Sequence, residues 1–525
     1  MIKQYPIGIQ NFSEIRNGGY VYVDKTKFIH KLFTTGKYYF LGRPRRFGKS
    51  LLLSTIEAYA QGRKELFKGL ALEMLEQKWE SHTVLHLDLN ARDYKDETSL
   101  YSILDRHLSK WEEEYMITIK SDSLVEDRFM EVIRRAFETT GRQVVILVDE
   151  YDKPLLQAIG NETLQNKYRD TLKAFYGLLK SMDSYIKFAM LTGVTKFGKV
   201  SVFSDLNNLR DISMSESYVQ ICGITEQEIR DNFEEDVRNL AAHNGISYDR
   251  TCEILRENYD GYHFEHDTVG IYNPFSLLNT FADQKFSNYW FATGTPTYLV
   301  ELLKRHKYDL SDMEETSISA DTLNCIDSTS ADPIPVIYQS GYLTIKGYEE
   351  RFGLYELGFP NREVKQGFLE FLLPYYANVK ETRSVFEISR FVNEVESGNP
   401  DAFFSRMQTF FADCPYELAS DLEIHYQNVL YIVFKLMGFY VEVEYHTNRG
   451  RVDLVLKTKD YIYVMEFKLD GTAEQALQQI KEKGYAEPFH TDNRKILLVG
   501  ANFSSETRNV DKWVVEYYMP YSKKC

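Results

Sequence analysis

Nine consecutive residues, Gly42-Arg43-Pro44-Arg45-Arg46-Phe47-Gly48-Lys49-Ser50, carry the ingredients of a phosphate-binding loop. The apolar run Tyr38 to Leu41 leads into them, and a helix-like apolar run leaves them at Leu51. Strand, Gly-Lys-Ser loop and helix is the context in which such a loop binds a nucleotide. A helix N-terminus presents unpaired N–H groups and the positive end of its dipole, which suits a triphosphate. Lys49 is then expected on the β- and γ-phosphates and the Ser50 hydroxyl on Mg²⁺, with Arg45, Arg46, Gly48 and Leu51 as further nucleotide contacts. The usual first glycine of G-x-x-x-x-G-K-[ST] falls on Arg43. The loop is therefore either one residue longer or built on Pro44 and two arginines.

A second group lies at Val144-Val145-Ile146-Leu147-Val148-Asp149-Glu150-Tyr151-Asp152. An unbroken β-branched run predicts a strand buried on both faces of a parallel sheet. Ligands of open α/β sheets bind at strand C-termini, where Asp149 and Glu150 stand. Asp149 is expected to hold Mg²⁺ through water, and Glu150 to polarise the attacking water. Lys187 to Gly193 predicts another strand, whose Thr192 either senses the γ-phosphate or caps and packs. Arg210, read as a loop residue, and the pair Arg45 and Arg46 compete as arginines acting on a neighbouring subunit's ATP.

A third group closes the chain. Arg451 to Lys457 and Tyr461 to Lys468 predict two strands around Thr458-Lys459-Asp460. Side chains alternate along a strand, so Glu466 and Lys468 share a face. A two-residue Lys459-Asp460 turn sets Asp453 opposite Glu466, with Cβ atoms about 4.5–5.5 Å apart. Carboxylates that close repel unless a cation lies between them, and oxygen ligands suit Mg²⁺ or Mn²⁺. Lys468 is placed to orient or deprotonate water and to steady a phosphate.

The elements that must position these groups are legible in outline. Tyr20 to Val23 reads as a short β-like run before a helix reaching Phe33, Thr83 to Leu89 as a strand, and 97–115 and 124–140 as helices. Val219 to Cys222 reads as a further short strand. Strands alternating with helices at this spacing predict a three-layer α/β sheet. From Gly223 the pattern turns helical, with Thr225 and Glu228 forming a capping box and another helix after Asn273-Pro274. Residues 341–345 and 353–357 predict a hairpin around a charged turn, and Asn361 with Glu363 opens a further helix. Helices followed by a hairpin suggest a winged-helix-like module, read here as a lid because no basic recognition helix is visible.

Bulk properties narrow the class. The chain has 525 residues, a net charge of −15 and 43% hydrophobic residues. That length suggests about three domains, and the charge argues against a protein that coats nucleic acid nonspecifically, though a local basic groove is compatible with it. Five scattered cysteines without metal spacing read as reduced thiols. No apolar run approaches membrane-span length and no signal peptide is visible, so no membrane partner and a cytoplasmic location are expected.

Two resemblances gather these motifs. Tyr22-Val23-Asp24-Lys25-Thr26, Arg43 to Leu51, Val148 to Asp152 and Phe203 to Leu209 resemble the bacterial AAA-ATPase-like proteins of the P-loop superfamily, whose own signature includes the Arg-Pro-Arg-Arg-Phe loop. This implies ATP binding, with hydrolysis expected. Gly450 to Asp453, Glu466-Phe467-Lys468 and Ala476 to Ile480 with Tyr485 resemble the PD-(D/E)XK nuclease superfamily. This implies Asp453 and Glu466 as metal ligands, Lys468 as the catalytic lysine, Glu423 as the helical acidic ligand and Gln479 as a supporting polar group. The expected layout is an α/β P-loop NTPase domain over 1–222, a helical winged-helix-like module over 223–360, a helical connector over 361–415 and an α/β nuclease-like domain over 416–525. The expected function is ATP binding and hydrolysis coupled to Mg²⁺-dependent cleavage of nucleic acid, DNA before RNA, by a chain able to form homo-oligomers. The alternative is an ATP-driven switch or scaffold whose last domain binds without cutting.

Overall fold

The computed structural model describes residues 3–118, 123–197, 208–291, 297–314, 316–323, 326, 332–377, 383–412, 422–445 and 453–518, without the side chains of 297–298, 301, 314, 422–426 and 445. The chain forms two compact units: Met1–Gly294 with Thr316–Val364, and Thr295–Glu315 with Lys365–Cys525.

The first unit is built on β1 (Tyr38–Gly42), β2 (Val84–Asp88), β3 (Val144–Asp149), β4 (Ile186–Gly193) and β5 (Arg210–Asp211), in the order β2-β3-β4-β1-β5. Every pairing is parallel. Parallel pairing requires crossovers, and helices Lys49–Ala60, Glu97–Glu114, Val125–Thr140 and Glu162–Ser181 lie between the strands in sequence. All six residues of β3 are buried, as an unbroken Val/Ile/Leu run requires. The fold class read from the sequence is therefore an α/β parallel sheet here.

Two local expectations are corrected. Val219–Cys222 is not a strand; it follows the short 3₁₀ turn Glu216–Tyr218, and the sheet edge is taken by β5. Tyr20–Val23 is not a strand either; its Val21 N–H donates to the Gln4 carbonyl at 3.0 Å without forming a ladder. The helix after it, Thr26–Thr35, is present, opened by Asp24 accepting from Thr26 N–H at 2.8 Å.

Past the sheet, Thr225 and Glu228 form a capping box on helix Glu226–Asn244, and Asn273 caps helix Pro274–Asp283. A small ladder joins β6 (Ile224–Thr225) to β7 (Ile271–Tyr272). The predicted hairpin is β9 (Thr344–Glu349) with β10 (Leu354–Gly358), and β8 (Ser317–Ser319) adds a third strand that sequence pattern did not suggest.

The second unit holds β11 (Glu442–Tyr445), β12 (Leu454–Lys457), β13 (Tyr461–Leu469), β14 (Lys495–Ser504) and β15 (Asn509–Tyr517), paired in sequence order. Only β13 and β14 run parallel, and the crossover between them is helix Ala473–Glu482. That helix lies against the sheet at Gly500, where a Cβ would stand 2.2 Å from the Ala473 carbonyl oxygen. The absent side chain sets how closely Gln479 approaches β13.

Candidate functional site

Two separate centres emerge, one in each unit. In the first, β1 ends at Gly42 and helix Lys49–Ala60 begins at Lys49, with Gly48 as its cap at φ 93°. Gly48 supplies a left-handed turn without a Cβ penalty. Arg46 adopts φ 68° as well, a costlier choice for a side chain. The Lys49 ammonium is buried, donates to the Arg43 and Pro44 carbonyls at 3.0 and 3.2 Å, and stands 3.8 Å from Glu150 Oε1. The loop thus folds over its own lysine.

Arg43, at the position of the missing glycine, is the feature that sequence reasoning missed. It is 1% exposed, donates to the carbonyls of Gly42, Ser213 and Tyr218, and stacks 3.9 Å from the Phe264 ring centroid. It fastens the loop's base from below, whereas Arg45 and Arg46 are exposed. Arg46 lies over the Phe275 ring, and the Arg45 carbonyl accepts from the Trp290 indole N–H at 3.1 Å.

Asp149 and Glu150 stand at the C-terminal end of β3, with Thr192 at the end of neighbouring β4. The Thr192 hydroxyl donates to Asp149 Oδ1 at 2.6 Å, and Glu150 N–H reaches the same oxygen at 3.1 Å. Among the described residues these bonds leave Oδ2 open, so Ser50 and Asp149 offer the hard oxygen donors that Mg²⁺ takes. Glu150 sits at φ 54°, a left-handed conformation that holds its carboxylate toward Lys49. Asp152, also unassigned from sequence, is fully buried and accepts from Val194 N–H, Thr195 N–H and the Thr195 hydroxyl. Burial and the neighbouring Glu150 charge push its pKa up. Gly193 is required beside it, since a Cβ there would stand 2.5 Å from Asp152 Oδ1.

Arg210 is not in a loop. It pairs with Tyr39, three residues before Gly42, so edge pairing sets it back from the phosphate loop, with its guanidinium over the Tyr218 ring. The motif residues Phe203–Asn207 lie outside the described residues. Beside the loop, a largely apolar cleft is lined by residues including Tyr22, Val23, Lys25, Phe47, Gly48 and Leu51.

In the second unit, β12 and β13 pair Leu454 with Met465 and Lys457 with Ile462. Thr458 N–H closes the turn on the Tyr461 carbonyl at 2.8 Å, so Lys459-Asp460 is the two-residue connection. That register carries Asp453 opposite Glu466, and Asp453 Oδ2 accepts from Phe467 N–H at 2.8 Å. Lys468 Nζ donates to Glu466 Oε1 at 3.1 Å and to Gln479 Oε1 at 2.7 Å, while the Gln479 amide N–H also reaches Glu466 Oε1.

Glu466 is 3% exposed, and its Oε2 has no hydrogen-bond partner. Burial raises the pKa of both carboxyls, that of Asp453 to about 6, with Lys468 opposing the rise. Two adjoining carboxyls, Glu466 buried and Asp453 half-buried, one with an unpaired oxygen, are a donor set that fits a divalent cation. Glu423 belongs to helix Leu422–Met437, but its side chain and residues 446–452 lie outside the described structure. No compact group of three His, Cys, Asp or Glu side chains suited to a metal is found among the described residues.

These centres define a class: an NTPase-type module and a nuclease-type module on one chain. Residues 6–203 match the family described as predicted AAA-ATPase, and residues 421–513 match the PD-(D/E)XK nuclease superfamily. An uncharacterised protein in the vnfD 5′ region of Azotobacter chroococcum mcd 1 is 37% identical over 532 residues, covering 98% of this chain and 99% of its own length. The chain belongs to this AAA-ATPase-like family with a C-terminal PD-(D/E)XK domain. Among solved structures, the Aeropyrum pernix ORC1 protein in complex with DNA is 12% identical, with a TM-score of 0.24 over 66% of this chain and 91% of that one. Cdc6p from Pyrobaculum aerophilum is 10% identical, with a TM-score of 0.21 over 65% and 89%. No helix among the described residues is long and apolar enough to cross a membrane.

Proposed function

We propose that the protein binds and hydrolyses ATP in its first unit and cleaves nucleic acid in its second, with the nucleotide state governing cleavage. The observation that carries the second half is Glu466. Its Oε1 is fixed by Lys468 and Gln479 while its buried Oε2 is left unpaired beside Asp453. A divalent cation shared with Asp453 would supply the partner that this oxygen lacks.

In the ATPase, spanning 1–222, the base occupies the apolar cleft beside Tyr22 and Val23, and the phosphates lie along the backbone from Arg45 to Leu51. Lys49 exchanges its bonds to the Arg43 and Pro44 carbonyls for the β- and γ-phosphates. Ser50 and Asp149 hold Mg²⁺, which when bound supplies charge neutralisation on the phosphates. Thr192 orients Asp149, and Glu150 orients the attacking water. The module over 223–360 acts as a lid, and 361–415 connects it to the last domain.

In the nuclease, spanning 416–525, Asp453 and Glu466, with Glu423, hold Mg²⁺ or Mn²⁺; the bound ion lowers the pKa of water and offsets charge on the phosphodiester. Lys468 orients that water and steadies the scissile phosphate, and Gln479 holds Lys468 in place. DNA is the favoured substrate, in the cytoplasm. The test is cleavage of labelled single- and double-stranded DNA and RNA in Mg²⁺ or Mn²⁺ beside Glu466→Ala and Lys468→Ala. Cleavage abolished in both variants supports the reading. Absence of cleavage of all four substrates by the wild type contradicts it.

A further inference from the structure

The phosphate loop is gripped from outside at two of its carbonyls. The Arg45 carbonyl accepts from the Trp290 indole N–H at 3.1 Å, and the Phe47 carbonyl accepts from Gly223 N–H at 3.1 Å. In a planar trans peptide the carbonyl and the next residue's N–H point in opposite directions. Each anchored carbonyl therefore turns the N–H of Arg46 or of Gly48 the other way.

The two peptides differ in what this orientation costs. The residue that follows each carbonyl has positive φ, 68° at Arg46 and 93° at Gly48. Glycine adopts that conformation freely, whereas a side chain there crowds its Cβ against the following carbonyl oxygen. Turning the Arg45–Arg46 peptide over by about half a turn would return Arg46 to negative φ. The same rotation would carry the Arg45 carbonyl off the indole and reverse the Arg46 N–H. Backbone preference at Arg46 thus opposes the hydrogen bond to Trp290, and the two are of comparable size. Trp290 is itself held firmly. It is 6% exposed, its ring meets Tyr342 edge-on with centroids 5.2 Å apart, and its own backbone N–H donates to Glu363 Oε1 at 2.7 Å.

We propose that Trp290 is a positioning residue for nucleotide binding: its indole N–H holds the Arg45–Arg46 peptide in the orientation that presents the Arg46 N–H to phosphate. When that bond is lost the peptide turns over, and a carbonyl oxygen faces the anion in place of a donor. The role in nucleotide binding rests on the reading above; the holding of the peptide does not.

Two readouts test it in the full chain: equilibrium binding of a non-hydrolysable ATP analogue in Mg²⁺, and amide hydrogen exchange of residues 42–50 without nucleotide. Trp290→Phe keeps an aromatic ring and the backbone N–H but removes the indole donor. It is expected to weaken binding by about three- to tenfold and to speed exchange in the loop. Lost packing alone would act equally whatever residue stands at 46. If the peptide turns over, the penalty shrinks in an Arg46→Gly background, where positive φ is free, to about twofold or less, with a matching smaller change in exchange. Should Trp290→Phe not fold, β-(3-benzothienyl)alanine at 290, with sulfur in place of the N–H, takes its place. Binding and exchange unchanged by loss of the indole N–H, or changed by the same factor in both backgrounds, overturn the inference. A wild type that binds no nucleotide, with loop exchange still faster in Trp290→Phe, removes the nucleotide reading and leaves the anchored peptide standing.

Discussion

Thr192 donates its hydroxyl hydrogen to Asp149 Oδ1 at 2.6 Å, so the carboxylate ending β3 is oriented by the strand beside it. Sequence left Thr192 open between sensing phosphate and packing; the structure spends its hydroxyl on the neighbouring acid. Thr192→Val keeps the shape and removes the donor. A hydrogen bond to a charged group contributes about 1.5–3 kcal/mol. ATP turnover is expected to fall roughly tenfold or more, with Thr192→Ser restoring most of it. Unchanged kcat in Thr192→Val contradicts this role.

Glu150 is held in a left-handed conformation 3.8 Å from Lys49. If it orients water rather than binding nucleotide, Glu150→Gln binds ATP with near-normal affinity and hydrolyses it about 10²–10⁴-fold more slowly. Equilibrium binding of a fluorescent ATP analogue beside phosphate release separates the two. Equal loss of binding and turnover would assign Glu150 a ground-state role.

Asp152 accepts three hydrogen bonds from the segment after β4 while fully buried. Its removal leaves two N–H groups and a hydroxyl without a partner, and each unpaired buried group costs about 1–3 kcal/mol. Asp152→Ala is expected to lower the unfolding midpoint of the first unit by several degrees, and Gly193→Ala to do so by clash. Thermal unfolding checks both.

Glu363 provides a pH signature. It is 1% exposed, accepts from Trp290 N–H at 2.7 Å, and burial raises its pKa to about 7. The folded state therefore binds a proton that the unfolded chain releases near the ordinary carboxyl value. Its contribution to stability is full at low pH and declines as pH rises toward 7, by about 1.4 kcal/mol per unit. Glu363→Gln removes that decline. The stability difference between wild type and variant should shift in the variant's favour from pH 5 to pH 7 and level off above it. Parallel pH curves would place the Glu363 pKa near its unfolded value.

Much of this was legible in the chain because the informative features are local. The β-branched run of β3 announces its burial, and the two-residue spacing of Lys459-Asp460 fixes the register that sets Asp453 against Glu466. What was not legible depends on distant partners. Arg43 looks like a lost glycine until the carbonyls of Ser213 and Tyr218 come round to it. Asp152 has no readable role until the segment from Val194 to Thr195 closes over it. Val219 to Cys222 has strand-like composition, but β5 already occupies that edge through backbone pairing with Tyr39 and Phe40, which composition does not encode.

The central claim is that nucleotide state in one unit governs cleavage in the other, and it is tested most directly by cleavage of a labelled DNA in Mg²⁺ with and without ATP, in wild type and Lys49→Ala. A cleavage rate that changes several-fold with ATP in the wild type, and is indifferent to ATP in Lys49→Ala, is the predicted result. Cleavage that proceeds at one rate in both proteins, with or without ATP, would contradict the coupling and leave two independent activities on one chain.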